Sequence, residues 1–126
     1  MIASAVVTGS LGLTASFLPD EIVNYIGLSA NEFSVLFVQI IGALYLGFAI
    51  MNWMAKTVLI GGIYARPLAM GNCVHFTVAS FALLKSALAS SNSMYVWGIT
   101  IMYAAFAILF GAVLFTSPKK ALAKNV

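Results

Sequence analysis

The sequence predicts an all-α polytopic membrane protein: an antiparallel bundle of four transmembrane helices forming one domain over residues 1–126. Composition is the first reason, because 63% of the 126 residues are hydrophobic, 7% are charged and the mean hydropathy is +1.06. A soluble domain carries about a quarter charged residues, so this chain cannot cover a surface with its own. The second reason is spacing. Apolar runs recur at about 2–18, 33–55, 67–84 and 94–116, and a spanning helix needs about 20 apolar residues. Four spans and short connections use up the length, leaving no room for a domain outside the bilayer.

The first segment, Ile2 to Leu18, is at the short end for a span and stops at Pro19-Asp20-Glu21. Short spans persist by thinning the bilayer or by packing on longer neighbours. A cleaved signal peptide is the competing reading, since the length suits an apolar h-region, but the basic n-region is missing. Ser4, Thr8, Gly12 and Ser16 recur every four residues, a stripe that lets a second helix backbone approach closely. Pro19 to Glu32 reads as a loop holding all three acids, Asp20, Glu21 and Glu32. Within it Ile22, Val23, Tyr25, Ile26 and Leu28 form a short interfacial turn on the headgroups.

The second span, about Phe33 to Ala55, is closed by Lys56. At helical spacing Gln39, Gly42, Tyr45, Ala49 and Asn52 are assigned to one face, which should point at protein, with Val35, Ile40, Leu44, Phe48 and Met51 toward the others. Trp53 lies where aromatic belts form. Lys56 to Arg66 is a hairpin broken at Gly61-Gly62, and Pro67 opens the third span, where its missing N–H costs nothing. That span runs to about Leu84, with Asn72, His75, Ala79, Ala82 and Ser86 assigned to one face. Lys85 at its far end snorkels to the headgroups. Ala89-Ser90-Ser91-Asn92-Ser93 is a tight polar turn. The fourth span, Met94 to Thr116, opens with Tyr95 and Trp97 as interface anchors and carries Thr100, Ala104, Ala107 and Gly111 as a second small-residue stripe. Ser117-Pro118 ends it, and the basic tail KKALAKNV is frayed.

Charge sets the orientation. Lys56, Arg66, Lys119, Lys120 and Lys124 fall on one side, with Lys85 and the three acids on the other. The positive-inside rule then places both termini and the middle hairpin in the cytoplasm, and so strong a bias disfavours dual topology. No internal repeat relates the two helix pairs, which gives no support to an inverted-repeat transporter.

The same pattern narrows the chemistry. The net charge of +3 is scattered over helix ends and forms no nucleic-acid patch. Cys73, the only cysteine, reads as a buried inert thiol. No carboxylate lies inside a span, where proton-coupled antiporters generally need an ionisable group. With Cys73 two residues away, the single histidine offers at most two ligands on different helix faces, so neither a metal site nor a catalytic constellation is expected. The glycine pairs lack the strand-to-helix context of a phosphate cradle. No catalytic residue and no cofactor is assigned.

What remains is a polar cluster of Asn52, Asn72 and His75, continued by Tyr45 and Gln39. Asn52 lies about one turn from the cytoplasmic end of its helix, while Asn72 and His75 lie about 8 and 12 Å into theirs. An antiparallel hairpin brings those depths together. Two readings stay open: interhelical glue, each bond worth about 0.6 kcal/mol, or a small polar pocket open to the cytoplasm, since intramembrane ionisable residues tend to mark function.

The stretches GALYLGFAIMNWMAK and ARPLAMGNCVHF resemble, in layout and in glycine and asparagine placement, the small bacterial four-helix membrane proteins of the DoxX-like and related families. The resemblance covers the second and third spans. It implies a four-helix protein of the bacterial inner membrane, often an accessory component, and transfers no catalytic residue. Small multidrug transporters of similar size carry a glutamate in the first span; IASAVVTGSLGLTASFL has none.

The functional expectation is a non-enzymatic accessory or interaction component. Its partners are the lipid bilayer and either further copies of itself or a larger membrane complex, met through the stripes on the first and fourth helices. The first alternative is a transporter or channel for a small neutral or lipid-like solute, using Tyr45, Asn52, Asn72 and His75. The second is a redox component with His75 as an axial haem ligand or quinone contact, for which a bis-histidine haem would need a dimer.

Overall fold

The computed structural model describes residues 1–27, 29–57, 65–89 and 94–115. All regular structure among these residues is helical: α1 (Ile2–Phe17), α2 (Pro19–Tyr25), α3 (Glu32–Met54) continuing into a 3-10 turn (Ala55–Thr57), α4 (Ala65–Ala89) and α5 (Met94–Phe115). Two compact units divide the chain, Met1–Thr57 and Val58–Val126.

Three helical stretches are long and apolar enough to cross a membrane: Glu32–Thr57, Ala65–Ala89 and Met94–Phe115. The first segment is the exception. At 16 residues, α1 is about 24 Å long, short of the roughly 30 Å of a hydrocarbon core. The chain then bends by 95° into α2. Among the described residues the helical stretches long and apolar enough to cross a membrane therefore number three, or four if this bent pair counts as one.

In the first unit, α1 and α3 run antiparallel at backbone contact. The α1 stripe faces inward, with Ser4, Ala5, Thr8, Gly12 and Ala15 buried, against Gly42, Ala49 and Asn52 of α3. A Cβ on Gly12 would lie 2.8 Å from the Leu46 nitrogen, and one on Gly42 would lie 2.7 Å from the Ser16 nitrogen. Any side chain there would have to push the helices apart. Hydroxyls along α1 are absorbed by the helix itself: Thr8 Oγ1 donates to the Ser4 carbonyl at 2.7 Å, Ser10 to Val6 at 2.8 Å and Thr14 to Ser10 at 2.9 Å. This bonding removes the cost of bringing an unsatisfied hydroxyl into apolar surroundings.

The segment from Pro19 to Glu32, expected as a loop with an interfacial turn, contains a helix. Proline at the first turn and Asp20 and Glu21 beside the positive helix end favour it. Val23 is fully buried, so part of α2 packs on protein, while Tyr25 and Ile26 are exposed. Gly27, at φ +76°, takes the left-handed conformation that ends the turn. α3 then starts on a reciprocal cap: the Ser34 N–H donates to Asn31 Oδ1 at 2.8 Å and the Asn31 N–H donates to Ser34 Oγ at 3.1 Å.

In the second unit, α4 begins at Ala65, two residues before the expected start at Pro67. Proline is still within the first turn, whose N–H groups have no intrahelical acceptor. The helix also outlasts the expected end at Leu84, reaching Ala89, because Lys85, Ala87, Leu88 and Ala89 are good helix formers. α5 starts at Met94 as expected and is helical to Phe115; the expected end at Thr116 lies outside the described residues. The two helices run antiparallel around Phe76, which is fully buried. Its ring lies 5.3 Å from Tyr103 in an edge-on contact and stacks on Phe106 at 4.9 Å and on Phe110 at 5.8 Å. Cys73 Sγ approaches the Ala107 carbonyl at 4.0 Å, and a Cβ on Gly111 would meet Cys73 Sγ at 3.9 Å.

Leu28, the Gly61-Gly62 hairpin, the turn at Ser90-Ser91-Asn92-Ser93, the Ser117-Pro118 stop and the tail lysines Lys119, Lys120 and Lys124 lie outside the described residues.

Candidate functional site

The five polar positions proposed from sequence separate into three groups by burial. Asn52 and Asn72 are fully buried. Tyr45 and His75 are half-buried. Gln39 is exposed and does not continue the polar line. Its angle explains why: at about 100° per residue it sits some 60° round the helix from Gly42 and farther from Ala49 and Asn52. The protein-facing side of α3 is thus Gly42, Ala49 and Asn52, with Tyr45 at its margin.

A similar correction applies to α4. Its buried face is Ala65, Ala69, Asn72, Phe76 and Ala87, centred near Phe76. His75 lies about 100° from that centre, and Ala82 and Ser86, expected on the inner face, are exposed. Asn72 Nδ2 donates to the Leu68 carbonyl one turn back at 2.9 Å, so part of its hydrogen-bonding capacity stays within its own helix. The His75 ring meets Phe76 edge-on at 5.1 Å and lies 6.2 Å from the Tyr103 ring, placing it on the margin of the aromatic cluster. Asn52 belongs to the first unit and Asn72 and His75 to the second.

The four residues assigned as interface anchors, Trp53, Lys85, Tyr95 and Trp97, are exposed. Trp53 carries the Lys56 ammonium 3.8 Å above its ring centre, a cation–π contact. Tyr95, Trp97 and Lys85 are exposed near the ends of α5 and α4. Among the described residues, no three His, Cys, Asp or Glu side chains are grouped as a metal would need.

Each unit also has an apolar depression. In the first, Ala5, Val6, Ala49, Ile50 and Trp53 bound a notch of about 250 Å³. The second has a groove of about 520 Å³ between α4 and α5, walled by Phe81, Leu84, Trp97, Ile101 and Ile108 and floored by Ala104 and Ala107. Thr77, Ser80 and Thr100 also line it, but Ser80 and Thr100 donate to the carbonyls of Thr77 and Val96, leaving the wall largely apolar in character.

The groove and the aromatic cluster were missed from sequence. Tyr103, Phe106 and Phe110 at i, i+3 and i+7 are a detectable signal for the cluster. No local pattern signals the groove, because it arises where small residues of one helix face a gap in the packing of the other. No family model, curated protein or solved structure matches the chain.

Proposed function

We propose that this chain is an integral protein of the bacterial inner membrane that acts as a non-enzymatic accessory component of a membrane assembly. In this reading it crosses four times with both termini in the cytoplasm, and its kinship is with the DoxX-like four-helix proteins. The bent α1–α2 pair supplies the first span, shortened but braced by α3, and α1 is retained in the mature protein because it forms half of a helical hairpin. One observation carries the reading. Small and polar side chains are turned inward and largely bonded to their own helices, whereas large apolar side chains such as Phe37, Leu44, Val78, Phe81, Ile101 and Ile108 are exposed along the helix exteriors. Surfaces of that kind suit lipid or neighbouring apolar helices.

The local bond from Asn72 to Leu68 uses part of that amide within α4 and leaves less of it for a polar solute. The inward position of the α1 stripe refines the accessory role. That stripe is occupied within the chain, which leaves the apolar exteriors as the contact surface.

The test is purification from membranes in several mild detergents, with in-membrane crosslinking before extraction. The expected result is a self-associated species or a defined membrane partner at constant stoichiometry. A monomer in every detergent, with no crosslinked partner, overturns the accessory role.

A further inference from the structure

The groove between α4 and α5 has a direction. Thr77, Phe81 and Lys85 follow one another at intervals of four residues along α4, so Lys85 sits one turn beyond Phe81, on the Phe81 flank of the groove rather than in its wall. On α5 the wall starts at Trp97 and ends at Ile108, a run of about 16 Å, which is close to the roughly 15 Å of hydrocarbon in one leaflet. The Trp97 end is the headgroup end, where the belt residues Tyr95 and Trp97 stand exposed.

Lys85 is the cation at that end. It is exposed and has no ion-pair or ring partner among the described residues. The contrast with the first unit is chemical: there the notch also ends at a tryptophan, Trp53, but Lys56 is already engaged with that ring.

We propose that the α4–α5 groove is a binding site for an anionic glycerophospholipid. One acyl chain lies along Ala104 and Ala107 between Phe81 and Ile101, and the headgroup phosphate meets the Lys85 ammonium beside Trp97. Three features select this occupant. The apolar wall fits a hydrocarbon chain, the length fits one leaflet, and the positive charge of Lys85 at the interface end favours a head of net negative charge over a zwitterionic one, whose phosphate is already offset by its own ammonium, or a neutral one. An arriving helix would be matched by neither the leaflet-length groove nor the charge at its mouth. The inference rests on α4 and α5 spanning a bilayer and is independent of the accessory role.

The experiment reconstitutes the full chain in nanodiscs made from equal parts of palmitoyl-oleoyl phosphatidylglycerol and the matching phosphatidylcholine. Lipid retained on the protein after release is then counted by native mass spectrometry. Wild type should retain the anionic lipid about fivefold over the zwitterionic one, the effect of one lysine facing an anionic lipid surface. Lys85→Gln should abolish that preference and Lys85→Arg should keep it. Ala104→Leu, which fills the groove floor, should reduce retention of both lipids with helicity unchanged by circular dichroism. If Ala104→Leu loses helicity, the Lys85 pair decides alone, since that side chain is exposed. Equal retention of both lipids by wild type, or an unchanged preference in Lys85→Gln, overturns the proposal. A chain that enters nanodiscs and retains neither lipid overturns the groove while leaving the membrane reading standing; a chain that cannot be inserted overturns both.

Discussion

The two units pair antiparallel helices by opposite means. In the α1–α3 hairpin the contact is backbone on backbone, because Gly12 and Gly42 remove the side chains that would hold the helices apart. In the α4–α5 hairpin the contact is ring on ring, with Phe76 enclosed by Tyr103, Phe106 and Phe110. Where lipid offers apolar side chains an environment as favourable as another helix does, dispersion and shape complementarity hold helices together. Close packing of small residues spreads that contact evenly along the pair. Aromatic packing concentrates it at one level and leaves space at another, and the 520 Å³ groove lies on the Trp97 side of the ring cluster.

The sharpest way to break this contrast is Phe76→Ala. Truncating a fully buried aromatic costs about 3–5 kcal/mol in well-packed cores, so the second hairpin should lose most of its stability. Unfolding in mixed micelles, followed by the fluorescence of Trp97 and Trp53, should show the Trp97 transition moving and the Trp53 transition holding. Next comes Gly42→Ala, which places a Cβ against the Ser16 backbone and should cost about 1–3 kcal/mol by overpacking. Gly47→Ala is its control on the same helix, since a Cβ there meets nothing within 4 Å; removing a helical glycine should leave stability unchanged or raise it by up to about 1 kcal/mol. Equal losses from the two glycine variants would show that backbone approach does not hold the first hairpin.

Asn31→Ala removes one side of the reciprocal cap and should lower α3 stability by about 1 kcal/mol, measured as faster amide exchange confined to the first turn of α3. The smallest effect is expected for Thr8→Val. The hydroxyl bonds only within α1, so a nearly isosteric apolar replacement should shift the same unfolding midpoint by less than about 0.5 kcal/mol. A larger loss would mean that this hydroxyl also serves the contact with α3.

Legibility from sequence followed the range of the forces involved. The small-residue stripe of α1, the start of α5 and the inward Gly42, Ala49 and Asn52 are read from periodicity, because helix geometry alone maps sequence interval onto angle. Gln39, Ala82 and Ser86 were misplaced because the centre of a buried face is set by what packs opposite. On α4 that is the aromatic cluster around Phe76, which draws the face away from His75. α2 was hidden because its seven residues are too few to show periodicity, and its stability depends on burying Val23.

By itself the sequence determined an apolar, all-helical chain, the approximate limits of α3, the start of α5 and the close-packing stripe of α1, because these follow from composition and from the 3.6-residue turn. Only the tertiary structure decided that the chain bends sharply after the first segment, that α1 spends its stripe on α3, and that α4 and α5 meet through rings and leave a groove near Lys85. Those outcomes depend on which surfaces face each other and how their volumes interlock, a property of pairs of helices that no single run of residues contains.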